Sequence, residues 1–426
     1  MDDALTLDRV PDHIARAVVD PHAYAEFDSL HAKLTELRRD HPFARADIEG
    51  YDKFWIASKH KDIQEISRNS DVFRAGIYFI GTSKDIELEY TKGKASQERV
   101  LTSMNSPEHM KYRLLTQPWF QPKNLRGMEE RIRRIARRHV DEMAELGGEC
   151  EFYHSIAVHY PLRVIMSIMG LEEEAEPFMM RLTQIVTNMD DPDLTGEPAP
   201  KSAEERAQRS RAISDEAWQF FNGVSEQRRT APTDDISTVL ANAKVDGEPI
   251  SDLDALGYYM SIAIAGHDTT SASVSGAIWA LAERPDKFAQ VTSNLSLIPN
   301  LVDEAVRWTT PISHFLRTAG QDTVYRGQPI AKGDFILLSY TSGNRDEDVF
   351  EDPFEFKVDR PTMRHIGFGY GAHVCLGQHL ARMEMNILFE ELLPRLKSLE
   401  LTGTPKRKIT HALGGPKFVP IRYKMS

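Results

Sequence analysis

Residues 367–385 read GFGYGAHVCLGQHLARMEM and place a single cysteine, Cys375, between two different local patterns. Before it, glycines alternate from Gly367 to Gly371, which predicts a tight loop whose backbone comes close to a bulky group. After it, from position 376 to about 396, apolar residues recur with helical spacing. We therefore expect Cys375 to lie where a loop becomes a helix, and the free N–H groups there favour a thiolate.

A thiolate in such a place is a candidate metal ligand. The chain contains two cysteines, Cys150 and Cys375, which is too few for a zinc cage. The iron of a haem needs one protein ligand on one face, and a cysteine thiolate is among the residues used for it. The alternative is that the cysteine is a small buried hydrophobic residue, which is what we expect of Cys150.

Composition limits the class of protein. The chain has 426 residues without a linker or an internal repeat, so we expect one domain over residues 1–426, mainly helical with a small β portion. A net charge of −12 argues against nucleic acid and against an anionic membrane surface as partners. The N-terminal stretch lacks the apolar segment of a signal peptide or membrane anchor, and two unpaired cysteines suit a cytoplasmic protein.

The segment from Leu256 to Arg284 predicts one helix about 40 Å long. It is apolar almost all round, so it should be buried. At its centre Gly266 weakens the helix and two threonines compete for backbone carbonyls, so we expect a local distortion. A carboxylate and a hydroxyl at such an opening, Asp268 and Thr269, suit oxygen activation, which consumes protons. The alternative is a Ser/Thr-rich stretch that only packs against neighbouring helices.

A third pattern is Glu304-Ala305-Val306-Arg307, whose charged ends are three residues apart on one helix face and can form a salt bridge. Alone it is weak, because many surface helices contain it. Residues 72–99 show no clear period, which predicts a mobile loop with aromatic residues that forms the wall or lid of a site.

Together these segments resemble the cytochrome P450 family. The family's haem-binding signature F-G-x-G-x-H-x-C-x-G is matched at every fixed position, by Phe368, Gly369, Gly371, His373, Cys375 and Gly377. Its A-G-x-[DE]-T-[TS] motif is matched by residues 265–270. The resemblance implies the P450 fold, a long central helix over haem b (heme, iron protoporphyrin IX) and Cys375 as the iron ligand. It makes Asp268 the proton relay and Thr269 the hydroxyl that steadies the oxygen.

The resemblance assigns further residues by motif position. Partners of the haem propionates would be His109, Arg113, Arg317 and His373, and Ala265, Phe368, Gly369 and Gly377 would also contact the cofactor. Glu304, Arg307 and Arg360 would form a structural triad that braces the cysteine loop. Candidate pocket positions are Phe79, Ile264, Ala265, Ser313, Phe315 and Leu413.

The implied activity is hydroxylation of a small hydrophobic substrate with O2. EGYDKFWIASKH and LVDEAVRWTTPISHFLRTA are similar to segments of soluble bacterial members that hydroxylate terpineol, which implies a monoterpenoid or alkyl-aromatic substrate. A dinucleotide-binding G-x-G-x-x-G after a strand is absent from the sequence, so electrons would come from a separate protein. The resemblance implies that this protein is an iron–sulfur ferredoxin with its own NAD(P)H-dependent reductase. Arg113, Arg126, Arg134 and Arg364 could steer that acidic partner. The alternatives are a peroxide-dependent haem-thiolate oxygenase and a non-catalytic haem-binding sensor or carrier.

Overall fold

The computed structural model describes residues 7–76, 80–92, 100–361 and 364–426. It is mainly helical, as predicted. The α-helices are Asp12–Val19, Pro21–Ala25, Phe27–Asp40, His60–Arg68, Lys84–Lys92, Glu108–Thr116, Pro122–Leu125, Glu129–Glu145, His159–Met169, Glu176–Thr187, Pro192–Thr195, Ala203–Thr230, Ile236–Ala241, Asp252–Glu283, Pro285–Ser293, Ile298–Thr309, Tyr340–Gly343 and Gln378–Leu392.

The strands form small sheets at the margins of the helical body. They are Phe43–Ala46, Phe54–Ala57, Phe73–Arg74, Glu149–Glu151, Lys244–Val245, Glu248–Pro249, His314–Ala319, Thr323–Tyr325, Gln328–Ile330, Phe335–Ser339, Leu396–Leu401, Lys406–Arg407, Pro416–Phe418 and Pro420–Met425. In the largest sheet, Phe335–Ser339 lies between a parallel neighbour, Phe54–Ala57, and an antiparallel one, His314–Ala319. This sheet carries one wall of the site described below.

The helix Asp252–Glu283, called here the central helix, organises the core. Ser251 caps its start by accepting a hydrogen bond from the Asp254 N–H. Most of its side chains are buried, and it packs against the helices His159–Met169, Glu176–Thr187 and Ile298–Thr309. Its length and burial match the prediction from residues 256–284.

Two sequence-based expectations about local structure are wrong. The central helix runs unbroken through residues 265–270, because the Thr269 hydroxyl bonds to the Ala265 carbonyl oxygen at 2.7 Å without interrupting the backbone. Within the region expected to be a loop, Lys84–Lys92 is a helix that contacts the long helix Ala203–Thr230. Within residues 7–76, 80–92, 100–361 and 364–426, no helix has both the length and the apolar content needed to cross a membrane.

Candidate active site

Backbone hydrogen bonds and glycines fix the loop before Cys375. The Cys375 N–H donates to the Phe368 carbonyl at 2.8 Å, and the Gly369 N–H donates to the Ile366 carbonyl at 2.9 Å. Gly369 and Gly371 have φ values of 68° and 72°, which glycine adopts without strain. A Cβ on Gly371 would also collide with the Ser67 carbonyl oxygen. The loop therefore requires the glycines that the sequence motif contains.

The sulfur of Cys375 lies just before the helix Gln378–Leu392, as predicted. Burial raises the pKa of this thiol above its ordinary value, although the N–H groups of Gly377 and Gln378 and the nearby Arg113 act in the opposite direction. The N–H groups at the helix start therefore act in the expected direction, but their effect on the pKa is smaller than that of burial. A bound metal cation would supply the missing stabilisation.

Cationic side chains converge beside this loop. Arg113 donates from Nη2 to the Val374 carbonyl at 2.8 Å, and the rings of His109 and His373 lie 4.2 Å apart. Arg317, on the strand His314–Ala319, lies close enough to both histidines to lower their pKa values. The structure thus brings together His109, Arg113, Arg317 and His373, which sequence reasoning had grouped from three segments.

Both histidines in this group are neutral at physiological pH. Burial, reinforced by Arg113 and Arg317, lowers the pKa of His109 to about 4. Burial, followed by Arg317 and His109, lowers the pKa of His373 to about 3. Positive charge in the cluster is therefore carried by the two guanidinium groups, and the histidines are available as hydrogen-bond partners.

The residues present fit a haem. Arg113 and Arg317 are buried, and in the described parts of the chain their side chains donate to backbone carbonyls, of Val374 and Leu316, rather than to carboxylates. The buried His109 Nε2 also has no hydrogen-bond partner there. Buried cations need an anionic counterpart. A group with two carboxylates and a metal that binds a thiolate would satisfy both requirements, with Cys375 as the metal ligand and these side chains as partners of the carboxylates.

One stripe of the central helix faces open space within the fold. Ala265 is exposed, and Ile264, Gly266 and Thr269 are partly exposed, although Ala263, His267, Asp268 and Thr270 beside them are buried. Ala265 and Thr269 are one helical turn apart, so they share a face. The side chain of Thr269 therefore borders this internal space, where a bound ligand could reach its hydroxyl.

Asp268, the next residue, points away from solvent into a polar cage. Its carboxylate is fully buried and accepts hydrogen bonds from Thr187 Oγ1 at 2.5 Å and Asn188 Nδ2 at 2.9 Å. The buried Lys408 places Nζ 3.3 Å from Asp268 Oδ1. Burial opposes ionisation, but Lys408 and the hydrogen bonds outweigh it and hold the pKa of Asp268 below its ordinary value. In this arrangement the carboxylate has no direct contact with bulk water, and the proton relay assigned to Asp268 stays a prediction.

Glu304, Arg307 and Arg360 form the ion triad that the sequence suggested. All three are buried, and both guanidinium groups donate to the Glu304 carboxylate, Arg307 at 2.7 Å and Arg360 at 3.1 and 3.2 Å. Arg307 also donates to the Asn344 carbonyl at 2.9 Å, and the Asn344 side chain accepts from the Ile366 N–H at 2.8 Å. A continuous set of hydrogen bonds thus joins the triad to the cysteine loop.

The predicted pocket residues lie on three segments. Ser313 and Phe315 flank His314 at the start of its strand, and Leu413 pairs with Ile312 in an isolated β-bridge. Phe315 alternates with His314 along the strand, so it shares a face with Arg317. Ile264 and Ala265 lie on the exposed stripe of the central helix. Phe79 lies outside the described residues.

The site thus combines a partly buried thiol before a helix, a cationic cluster and a threonine on the central helix. The family described as Cytochrome P450 matches residues 24–419 of the chain. The chain belongs to the cytochrome P450 family. Family membership makes it a P450 monooxygenase and implies a haem cofactor, which the donor set described above fits.

Individual P450 proteins are similar over nearly the whole chain. Cytochrome P450-terp of a Pseudomonas species is 46% identical over 97% of this chain and 98% of its own length. Linalool 8-monooxygenase of Pseudomonas putida is 33% identical over 91% and 94%. The crystal structure of a P450 from Novosphingobium aromaticivorans has a TM-score of 0.91 at 41% identity and covers 99% of this chain and 100% of that one.

Sequence reasoning missed two buried groups of this P450. Lys408 lies in a segment whose local pattern gave no sign of a partner for Asp268. Glu384 lies on the helix Gln378–Leu392 and accepts a hydrogen bond from Thr270 Oγ1 at 2.9 Å. An acidic residue among the buried apolar positions of that helix, such as Leu380 and Leu388, was a usable signal.

We predict that Glu384→Gln stabilises the protein at neutral pH. Burial raises the pKa of Glu384 well above its ordinary value. A carboxyl group whose pKa is raised on folding destabilises the folded protein progressively as the pH rises from the group's ordinary pKa towards its pKa in the folded state. The variant keeps the acceptor for Thr270 and does not titrate, so it should melt about 2 °C or more above the parent at pH 8 and close to it near pH 4.

Thermal melts at both pH values check this, with the exposed Glu145→Gln as control. A lower melting temperature at pH 8 would contradict it.

Proposed function

We propose that this P450 hydroxylates a small terpenoid, using O2 and two electrons delivered by a ferredoxin. The observation that carries the proposal is the similarity to cytochrome P450-terp and linalool 8-monooxygenase along almost the full chain. A solved Mycobacterium marinum P450 in complex with pseudoionone is also similar, with a TM-score of 0.85 at 27% identity. The predicted pocket side chains Ile264, Ala265, Phe315 and Leu413 are apolar, which suits a hydrocarbon ligand.

The substrate class is tested by titration of the haem-loaded protein with terpineol, linalool and alkylbenzenes. A substrate that displaces water from the iron changes the spin state, which the absorption spectrum reports. We expect a monoterpenoid to give the largest spin shift and a hydroxylated product. Turnover should require NADH, reductase and ferredoxin, and hydrogen peroxide alone should not replace them. A full shift only with alkylbenzenes, or efficient turnover with peroxide alone, would contradict the proposal.

The ferredoxin would dock on the cysteine side of the molecule. Arg113 is buried there, so it cannot serve as the docking residue that the sequence suggested. Arg126 and Arg364 are exposed, and Met110 and Leu114 are exposed apolar residues on the helix that packs Arg113 against the cysteine loop. Exposed basic and apolar side chains on these segments suit an acidic protein partner.

The docking surface is tested by charge reversal. Arg126→Glu and Arg364→Glu should slow reduction by the ferredoxin at low salt and flatten its salt dependence. Arg422→Glu reverses an exposed charge on the strand Pro420–Met425 and serves as the matched control. Equal salt dependence in all three variants and the parent would argue against this surface.

Within the site, each side chain has a role in the proposal. Haem, held through Cys375, supplies the activation of dioxygen. His109, Arg113, Arg317 and His373 hold its carboxylates by hydrogen bonds and charge. Thr269 Oγ1, whose proton bonds to the Ala265 carbonyl oxygen in this structure, borders the ligand space and would offer its hydroxyl to a bound ligand, and Asp268 would relay protons. The apolar pocket residues exclude water and orient the substrate.

We predict that Thr269→Ala uncouples NADH consumption from product formation. Loss of the hydroxyl removes the group that steadies and passes protons at the ligand, so product per NADH should fall roughly tenfold or more. Parallel assays of NADH, product and hydrogen peroxide measure this. Thr269→Ser keeps the hydroxyl and should retain most of the coupling. Unchanged coupling in the alanine variant would refute the assigned role.

A further inference from the structure

Two histidines from distant parts of the chain hold the backbone of Gly81. The Gly81 N–H donates to His314 Nε2 at 3.1 Å, and His411 Nε2 donates to the Gly81 carbonyl at 2.8 Å. These partners fix the tautomers, with the proton on Nδ1 of His314 and on Nε2 of His411. The two rings are stacked, with centroids 5.7 Å apart and planes at 21°. Neither Nδ1 atom has a hydrogen-bond partner in the described part of the chain.

His314 and His411 lie beside two backbone hydrogen bonds that join residues 311–313 to residues 412–414. The Ser313 N–H donates to the Ala412 carbonyl at 3.0 Å, and the Gly414 N–H donates to the Pro311 carbonyl at 2.8 Å. These are the segments that carry the predicted pocket side chains Ser313, Phe315 and Leu413. Both ring nitrogens that contact Gly81 therefore belong to the same wall of the pocket.

Gly81 also leads into the helix Lys84–Lys92. Near the start of that helix the Lys84 N–H donates to the Gly50 carbonyl at 2.8 Å, and Lys84 Nζ pairs with Asp52 at 2.9 Å. Towards its end Tyr90 hydrogen-bonds Ser210 at 2.5 Å on the helix Ala203–Thr230. Gly81 thus connects this helix to the strand and loop that form the pocket wall.

We propose that His314 and His411 are positioning residues that clamp Gly81 and thereby fix the helix Lys84–Lys92 relative to the substrate pocket. The inference rests on the pocket assignment given under the proposed function. Burial, reinforced by His411, lowers the pKa of His314 to about 3, and burial also lowers the pKa of His411. Both rings are therefore neutral, which is the state that the two opposite hydrogen-bond roles require.

The clamp is tested first by hydrogen–deuterium exchange on the haem-loaded protein without substrate. His411→Leu removes the donor to the Gly81 carbonyl, whereas His411→Gln offers an amide N–H in its place. We expect exchange in peptides covering residues 80–92 to rise about tenfold or more in the leucine variant and to return towards the parent rate in the glutamine variant. Gly81→Ala is the control, since its Cβ would meet only ordinary contacts at 3.6–3.8 Å.

His314→Leu and His314→Gln provide the second pair, because Gln can accept from the Gly81 N–H through its side-chain oxygen. His314 is fully buried, so His314→Leu could fail to fold; in that case the two His411 variants test the clamp on their own. Exchange at parent rates in haem-loaded His411→Leu overturns the clamp. Equal acceleration in the leucine and glutamine variants also overturns it, since the effect would then come from packing.

A second readout concerns the pocket. 4-Phenylimidazole binds haem iron and places an apolar ring in the pocket, so its dissociation rate reports how firmly the pocket is closed around a ligand. We expect His411→Leu to release it at least about fivefold faster, with the thiolate-type spectrum under carbon monoxide unchanged. If hydrogen–deuterium exchange in residues 80–92 is faster but 4-phenylimidazole dissociates at the parent rate, the histidines hold the helix but the proposed effect on the pocket is overturned. Because neither readout uses a terpenoid, failure of the substrate proposal would leave both results standing.

Discussion

Replacement of Glu304 by alanine is expected to lower the free energy of unfolding by about 3–5 kcal/mol. The change leaves Arg307 and Arg360 buried without their shared carboxylate. It also removes the carboxylate that orients Arg307, whose hydrogen bond to Asn344 joins the triad to the cysteine loop. The variant should therefore be recovered with little bound haem. Denaturant unfolding of any haem-loaded fraction should show the lower free energy of unfolding.

The matched control is Glu149→Ala. Glu149 also forms an ion pair with an arginine, Arg422, but both side chains are more than half exposed. Exposed pairs contribute little, so this variant should keep its haem and lose less than about 1 kcal/mol. Similar small losses in both variants would contradict a bracing role for the triad.

Replacement of Lys408 by methionine is the second large expected effect. Lys408 and Asp268 are both fully buried, so the change leaves a carboxylate without its cation. We expect a loss of about 3–5 kcal/mol at neutral pH. Without Lys408 the pKa of Asp268 should rise. A carboxyl group with a raised pKa destabilises the folded protein increasingly as the pH rises above the ordinary pKa of an aspartate. The deficit should therefore be smaller near pH 5 than at pH 8.

The double variant Lys408→Met with Asp268→Asn separates charge from packing. It removes both charges and keeps an acceptor for Thr187, so most of the lost stability should return. Thermal unfolding of the haem-loaded parent, the two single variants and the double variant gives the double-mutant cycle. A double variant as unstable as Lys408→Met, or a deficit independent of pH, would show that the ion pair is not the cause.

Features that depend on residues close in sequence could be predicted well. The alternating glycines, Cys375 and the following helix all lie within residues 367–392, and the structure places them as expected. The central helix was predictable because its apolar composition is continuous. Glu304 and Arg307 were predictable as a pair because three residues separate them on one helix face.

Features that depend on distant partners could not be predicted. Lys408 reaches Asp268 only after the C-terminal strands have folded back against the central helix. His314 and His411 meet Gly81 for the same reason. Arg113 was expected both near the haem carboxylates and among the arginines that steer an acidic partner, but its contact with Val374 buries it and removes the second role. Lys84–Lys92 has weak periodicity, and its contact with Ala203–Thr230 stabilises the helix beyond what local propensity gives.

The central claim is that the Cys375 sulfur holds the haem iron. The most direct measurement is the absorption spectrum of the reduced protein under carbon monoxide, recorded for the parent and for Cys375→Ala at matched protein concentration. The account predicts the strongly red-shifted, thiolate-type absorption maximum in the parent. It predicts loss of that maximum, with or without loss of haem, in the variant. A variant that keeps its haem with an unaltered spectrum would contradict it.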